Sequence, residues 1–351
     1  MLPGRPRIVF FIDPKLWPQG VIPDAPDIAW TGYRLGPYCW EILTVLHLQR
    51  AGYDCEISSV LPDDGIVLTH RECCTFDGAK LLPDRRRLLI NLAADQALYP
   101  SANLQVVQNP VQAYWYKNCY YIPLWPEPGL RARVPSSRFK NISFMGMISQ
   151  FASELGSEEW SSTLRQLGLN WAPRIETFQF NDPADYRIGD GAWTDLSEID
   201  AVVAIRQFTS YPTFDQKPPS KLINCWLAGI PAILGAESAY RTLYRSELDY
   251  IEAHSKEEVI AALIQLRDNP DLRAAMAENG FRRSREVSAE ATVQRWIRFL
   301  EDVAIPSYNS WTRLSKTMQQ VSIADSRISN FAARLRRKIS TPTRPPKKAH
   351  S

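Results

Sequence analysis

Short apolar runs alternate with polar connections along the first 120 residues. These runs are rich in Val, Ile, Leu and Phe and have the length of strands, so they predict buried strands at 7–13, 55–60, 65–69, 87–92 and 104–107. A helix is predicted between Gly36 and Gly52, because Trp40, Leu43 and Leu46 follow helical spacing. This order of elements is typical of a parallel sheet covered by helices.

Four prolines then interrupt the pattern between residues 123 and 135. Proline fixes the backbone and removes a hydrogen-bond donor, so this segment continues neither a helix nor a central strand. We therefore predict a domain boundary here, with a first domain over residues 1–136.

The alternation of strands and helices begins again after the prolines. Strands are predicted at 141–147, 199–206 and 231–235. Helices are predicted at 149–167, 220–228, 271–284, 288–304 and 311–339, and two more are predicted to begin near residues 237 and 255. The second α/β domain is predicted over residues 137–305, and a helical extension with a basic tail over 306–351.

The charge of the chain is distributed unevenly. The net charge is +3, but the residues after 333 contain seven basic and no acidic side chains, which leaves 34 basic and 38 acidic residues in the rest. A mildly acidic body argues against a general nucleic-acid binder, whose positive charge would cover a folded face. Three interpretations of the tail stay open: a solubilising end, a contact with anionic lipid, or a contact with RNA.

The cysteines and the apolar runs bear on the compartment. The six cysteines contain no CxxC pair and resemble neither a disulfide framework nor a zinc site. The apolar run from Ile8 to Ile12 is too short for the core of a signal peptide, and no run of about 18 apolar residues is present. We expect a cytoplasmic protein, with attachment to the inner membrane surface as a further possibility.

The stretch 206–241 carries the most chemical information. In a doubly wound sheet, ligands bind outside the carboxyl ends of the strands, where helix amino termini present free N–H groups. Arg206 would end one strand, and Lys221 would lie in the first turn of the next helix, where the helix dipole disfavours a lone cation. An anion between them would reverse that effect, so the pattern predicts a diphosphate site.

This region resembles the carboxyl-terminal domain of GT-B-fold glycosyltransferases of the group 1 or family 4 type. Lys221, Gly229 and Pro231 match the family pattern, whereas its ribose-binding Glu is replaced by Asn224. The resemblance implies two Rossmann-like domains that face each other across a cleft, with the nucleotide sugar on the second domain. It also implies that Gly146 lies close to phosphate and that a terminal helix crosses back to the first domain, and it favours retention of anomeric configuration.

Other residues are candidates beside ordinary structural alternatives. Contacts with the donor are predicted for Lys217, Ser220, Asn224 and Glu237. The ordinary alternatives are an exposed side chain or a helix cap. His70 and Asp95 follow predicted strands of the first domain and are rival candidates for a general base that serves the acceptor. Either residue would alternatively be structural.

The prediction is therefore a metal-independent glycosyltransferase that uses a nucleotide-diphosphate sugar as substrate and needs no cofactor, since no Asp-x-Asp pair is present. Its partners would be the nucleotide sugar, a glycan or lipid-linked acceptor and, through the tail, a membrane surface. Two alternatives stay open: a non-catalytic relative that binds a nucleotide sugar or a partner chain, and an enzyme of the same fold with another reaction, such as an epimerase.

Overall fold

The computed structural model describes residues 5–20, 22–136, 138–147, 150–175, 194–211 and 214–339. The basic side chains of Arg344, Lys347 and Lys348, which carry part of the prediction for the tail, lie outside the described residues.

The first domain is built on a sheet of six parallel strands in the order β2-β1-β3-β6-β7-β8. Its strands are β1 (Ile8–Phe11), β2 (Glu56–Ser58), β3 (Gly65–His70), β6 (Arg87–Ala94), β7 (Leu104–Val107) and β8 (Cys119–Tyr121), and an antiparallel hairpin is formed by β4 (Thr75–Phe76) and β5 (Ala79–Lys80). In the register of the sheet, Val67 of β3 pairs with Val9 of β1 and with Leu89 of β6. The central strands are buried on both faces, which is why they appear in the sequence as continuous apolar runs.

The first part of the chain carries helices α1 (Leu43–Arg50) and α2 (Pro110–Trp115) in this domain. A π-helical turn, Tyr38–Ile42, leads into α1, so the predicted helix between Gly36 and Gly52 is present with a wider first turn.

The second domain has a parallel sheet of five strands in the order β11-β9-β13-β14-β15. Its strands are β9 (Asn141–Ser143), β11 (Asn170–Trp171), β13 (Ala201–Ala204), β14 (Ala232–Leu234) and β15 (Ile251–Glu252), beside a parallel pair, β10 (Met145–Gly146) and β12 (Arg174–Ile175). Its helices are α3 (Glu158–Gln166), α4 (Ser220–Ala228), α5 (Ser238–Leu243), α6 (Lys256–Asp268) and α7 (Pro270–Ser284). The predicted fold class, α/β with two Rossmann-like domains, is confirmed.

One predicted helix of the second domain begins later than expected. The sequence predicts a helix from residue 149, whereas α3 begins at Glu158. The hydroxyl of Ser157 accepts a hydrogen bond from the backbone N–H of Trp160 at 3.1 Å, which makes Ser157 the N-cap and fixes the start of the helix.

The chain returns to the first domain after α7. It continues through α8 (Ala289–Phe299), a π-helical turn at Leu300–Ala304, α9 (Ile305–Arg313) and α10 (Lys316–Ile339). Trp296 packs edge-on against Phe10 with ring centroids 6.0 Å apart, and the indole N–H of Trp311 donates to the carbonyl of Asp84 at 2.6 Å. Residues 293–311 thus complete the first domain's core. The domain boundaries near 136 and 305 stay predictions.

Candidate active site

The carboxyl ends of the two central strands of the second sheet bring three charged side chains together. Arg206 follows β13, Glu237 follows β14, and Lys221 lies in the first turn of α4 between them in sequence. The parallel pairing of β13 with β14 places both strand ends at one edge of the sheet, as the sequence predicts.

Lys221 is a buried cation. Its side chain is 8% exposed and has no hydrogen-bond or ion-pair partner among the residues that the structure describes; its ammonium lies 5.4 Å from the ring centre of Phe144. Gly146 lies beside it, since a Cβ there would be 3.6 Å from Cε of Lys221, an ordinary contact distance, and its φ of 138° is a conformation that favours glycine. Burial lowers the pKa of Lys221 to about 7, and the neighbouring Arg206 guanidinium contributes in the same direction.

Glu237 is the counter-charge of Arg206. The Nε–H of Arg206 donates to Oε1 of Glu237 at 3.1 Å, while Oε2 is buried and has no hydrogen-bond partner among the described residues. Burial raises the pKa of Glu237, and the charges of Arg206 and Lys221 oppose that rise. The carboxylate therefore retains an acceptor oxygen that a ligand hydroxyl would satisfy.

Residues of the first domain contact the second domain beside this charged group. Nζ of Lys217, in the loop before α4, lies 2.5 Å from the carboxylate of Asp95, which follows β6. The side-chain amide of Asn109, which caps α2, donates to the hydroxyl of Ser238 at 2.9 Å and to the carbonyl of Lys217 at 3.2 Å. The carboxyl edges of the two sheets consequently face each other across the cleft.

His70 ends β3 and is only 1% exposed. Its Nδ1 accepts a hydrogen bond from the backbone N–H of Glu72 at 3.3 Å, and its ring lies against Gly36, where a Cβ would come 2.5 Å from Cε1. Burial lowers the pKa of His70 to about 4, so the imidazole is neutral at neutral pH.

The structure thus groups Arg206, Lys221, Glu237 and Gly146, with Lys217 and Asp95 at the interface between the domains. Ser220 opens α4 and is half-buried. Asn224, one turn further along, is also half-buried, and no contact in the described part of the chain joins its side chain to the charged group. The roles of all these residues stay predictions. No cluster of three or more potential metal-binding side chains occurs within the described ranges.

Sequence reasoning did not find Asn109 and Ser238. One signal was available for Asn109, because Asn followed by Pro directly after an apolar strand is a typical helix start. The contact with Ser238 depends on how the domains meet, and no local pattern indicates that.

One family model matches the part of the chain that carries the charged group. Residues 193–302, which carry Arg206, Lys221 and Glu237, match the family model described as glycosyl transferase-like. The predicted resemblance to glycosyltransferases is therefore confirmed for this segment. No curated protein sequence matches the chain.

Similar solved structures include HepE of Anabaena in complex with UDP, at 11% identity and a TM-score of 0.43, which covers 85% of this chain and 100% of that one. AviGT4, a glycosyltransferase involved in avilamycin A biosynthesis, is 13% identical with a TM-score of 0.47, covering 88% and 98%. An α1,3-fucosyltransferase with GDP is 9% identical with a TM-score of 0.48, covering 87% and 93%.

Proposed function

We propose that the protein is a glycosyltransferase that moves a sugar from a nucleoside-diphosphate donor to a glycan, lipid-linked or other acceptor without a metal. The observation that carries this proposal is Lys221 beside Arg206 at the start of α4, buried and with no ion-pair partner in the described part of the chain. Burying a cation without a partner is unfavourable unless a ligand supplies the opposite charge. A diphosphate between both side chains and the first N–H groups of α4 would do so.

The same groups would act in the reaction. As the glycosidic bond of the donor breaks, negative charge develops on the leaving diphosphate, and fixed cations in a cleft shielded from water stabilise it. Oε2 of Glu237, which no described residue hydrogen-bonds, would accept a hydrogen bond from the donor. Metal independence is part of the proposal, and full activity in EDTA is the expected result.

The acceptor would bind on the first domain. A general base, if the reaction inverts the anomeric centre, would be Asp95 or His70. Asp95 is bound to Lys217, so it would act only after the acceptor displaces that lysine. We also propose a cytoplasmic location, where the six cysteines would stay reduced.

A non-catalytic nucleotide-sugar binder is the second candidate. The observation in its favour is Asn224, a neutral residue where the family pattern has a carboxylate for the ribose. Transfer or hydrolysis of a bound donor sugar distinguishes an enzyme from a binder.

The test of the site uses calorimetric titration with UDP-, GDP-, ADP- and CMP-sugars. Lys221→Ala and Arg206→Ala should each weaken binding at least about tenfold, since charge-assisted hydrogen bonds contribute about 1.5–3 kcal/mol. Lys140→Ala, at an exposed lysine of the same domain, is the control and should bind like the wild type. Unchanged affinity in both site variants would show that the diphosphate binds elsewhere.

A further inference from the structure

Helix α10 carries an exposed apolar stripe along one face. Its residues follow one another at intervals of three and four: Val321, Ala324, Ile328, Phe331 and Leu335. The large side chains among them are strongly exposed, at 53% for Val321, 67% for Ile328, 63% for Phe331 and 46% for Leu335. At 1.5 Å per residue, the stripe is about 20 Å long.

The opposite face of α10 is attached to the protein. Gln319 is buried and donates to the carbonyl of Trp311 at 2.9 Å. Asn118 of the first domain donates to the hydroxyl of Ser326 at 3.1 Å. Because these contacts hold the other side of the helix, the apolar stripe points away from the molecule.

The charge of α10 is strongly positive. Residues 316–339 contain six basic side chains and one acidic one, Asp325. Arg334 stands one position before Leu335 of the stripe and Arg336 one position after it, so they lie at its two borders. Arginine in this position extends its aliphatic stem along an apolar surface and keeps its charge at a polar boundary. The guanidinium of Arg327 instead donates to the hydroxyl of Ser101 in the first domain at 2.6 Å.

We propose that this face of α10 lies on a membrane surface that contains anionic lipids, with the helix parallel to the membrane plane. The apolar stripe would enter the boundary between headgroups and acyl chains, while Arg334 and Arg336 would contact the lipid phosphates. A second copy of the chain fits less well, because α10 has six basic side chains and one acidic one, and two such helices side by side would bring like charges together. Within the described residues, no helix has the length and apolar character needed to span a bilayer.

The position of α10 connects the membrane with the cleft. Arg337, near the end of the helix, forms an ion pair with Asp215, in the loop that carries Lys217. A membrane on the outer face of α10 would therefore lie near the candidate active site. The nearness of the membrane to the candidate active site favours a lipid-linked acceptor, and this conclusion rests on the proposed function. Membrane binding itself does not depend on the activity.

The experiment is flotation of the full-length protein with vesicles. We expect binding to phosphatidylcholine vesicles that contain about 30% phosphatidylglycerol, weak binding to pure phosphatidylcholine, and weaker binding at high salt. Ile328→Ser/Phe331→Ser and Arg334→Glu/Arg336→Glu should each reduce binding at least about tenfold. The controls alter exposed residues elsewhere, Val60→Ser/Val134→Ser and Arg285→Glu/Arg298→Glu, and should bind like the wild type.

Three results would overturn the proposal: equal binding to both kinds of vesicle, unaltered binding by both α10 variants, or a dimer without lipid that Ile328→Ser/Phe331→Ser dissociates in sedimentation. Circular dichroism and thermal unfolding of the α10 variants show whether they are folded. If the wild type binds vesicles but no nucleotide sugar, the proposed function fails while the membrane surface stands.

Discussion

At the scale of single residues, the ionisation of Lys221 should depend on whether a diphosphate is bound. With a pKa of about 7, Lys221 is about half protonated at neutral pH. A bound diphosphate would favour the charged form and raise this pKa. Binding and protonation are therefore linked.

The first prediction concerns this linkage. Binding requires the ammonium form, so the complex takes up a proton between pH 7 and the higher pKa of the bound state. Affinity for a nucleotide sugar should fall as the pH rises, about fivefold from pH 7 to 8 and about tenfold more by pH 9. UDP-glucose and GDP-mannose are suitable probes, since their diphosphate diesters do not titrate in this range. Calorimetry in buffers of different ionisation enthalpy measures the proton uptake.

Lys221→Arg is the matched variant for this measurement. A guanidinium stays charged over the whole range, so its binding should not vary with pH even if it is weaker. A wild-type affinity that is constant from pH 7 to 9 would contradict the assignment of Lys221 to the diphosphate.

At the scale of elements, a buried ion pair positions α4. Arg283 of α7 and Asp249, before β15, are 3% and 0% exposed and lie 2.9 Å apart. The guanidinium also lies 4.4 Å from the ring centre of Trp226, which belongs to α4. The ion pair thus packs against α4, the helix that carries Lys221, through Trp226.

The second prediction is that Arg283→Ala lowers the free energy of unfolding by about 3–5 kcal/mol, because it leaves the Asp249 carboxylate buried without its cation. Urea unfolding followed by circular dichroism measures the change. Arg285→Ala, two positions away on an exposed site, should change it by less than about 0.5 kcal/mol. A loss below about 1 kcal/mol for Arg283→Ala would mean that water or a rearranged neighbour compensates the carboxylate.

The central elements could be predicted from the sequence because their burial leaves a local pattern. Strand β7 matches its predicted range, and α4 ends at Ala228, followed by the C-cap Gly229, whose φ of 65° favours glycine. The edge strands β8 and β15 have three and two residues and were not predicted, since so few residues show no periodicity. They form by pairing with an existing sheet.

The grouping of Arg206, Lys221 and Glu237 could be predicted for a different reason. Adjacent parallel strands must end at the same edge, so sequence order and fold class place these residues together. The pairing of Lys217 with Asp95 spans 122 residues and joins two domains. It follows from the closure of the cleft, which sequence spacing does not encode.

At the scale of the whole molecule, the side chain of Asn109 connects the two domains across the cleft through hydrogen bonds. Its amide reaches Ser238 and the carbonyl of Lys217, both in the second domain. Closure of this kind excludes water from a reactive donor and often limits turnover.

The third prediction is that Asn109→Ala opens the cleft. Small-angle scattering should show a larger radius of gyration, and glycosyl transfer should fall at least about fivefold, while nucleotide-sugar affinity stays within about twofold. Asn118→Ala, which removes a hydrogen bond to α10 inside the first domain, is the control for loss of an amide. An unchanged radius together with full activity would show that other contacts alone keep the domains closed.

The return of the chain to the first domain has a mechanical consequence. The polypeptide crosses between the domains once after β8 and again before α8, and Trp296 anchors the second crossing in the core beside Phe10. A single tether would let two bodies swivel in any direction. Two anchored crossings define an axis through both crossing points, so the relative motion that remains is a hinge rotation of the domains about that axis.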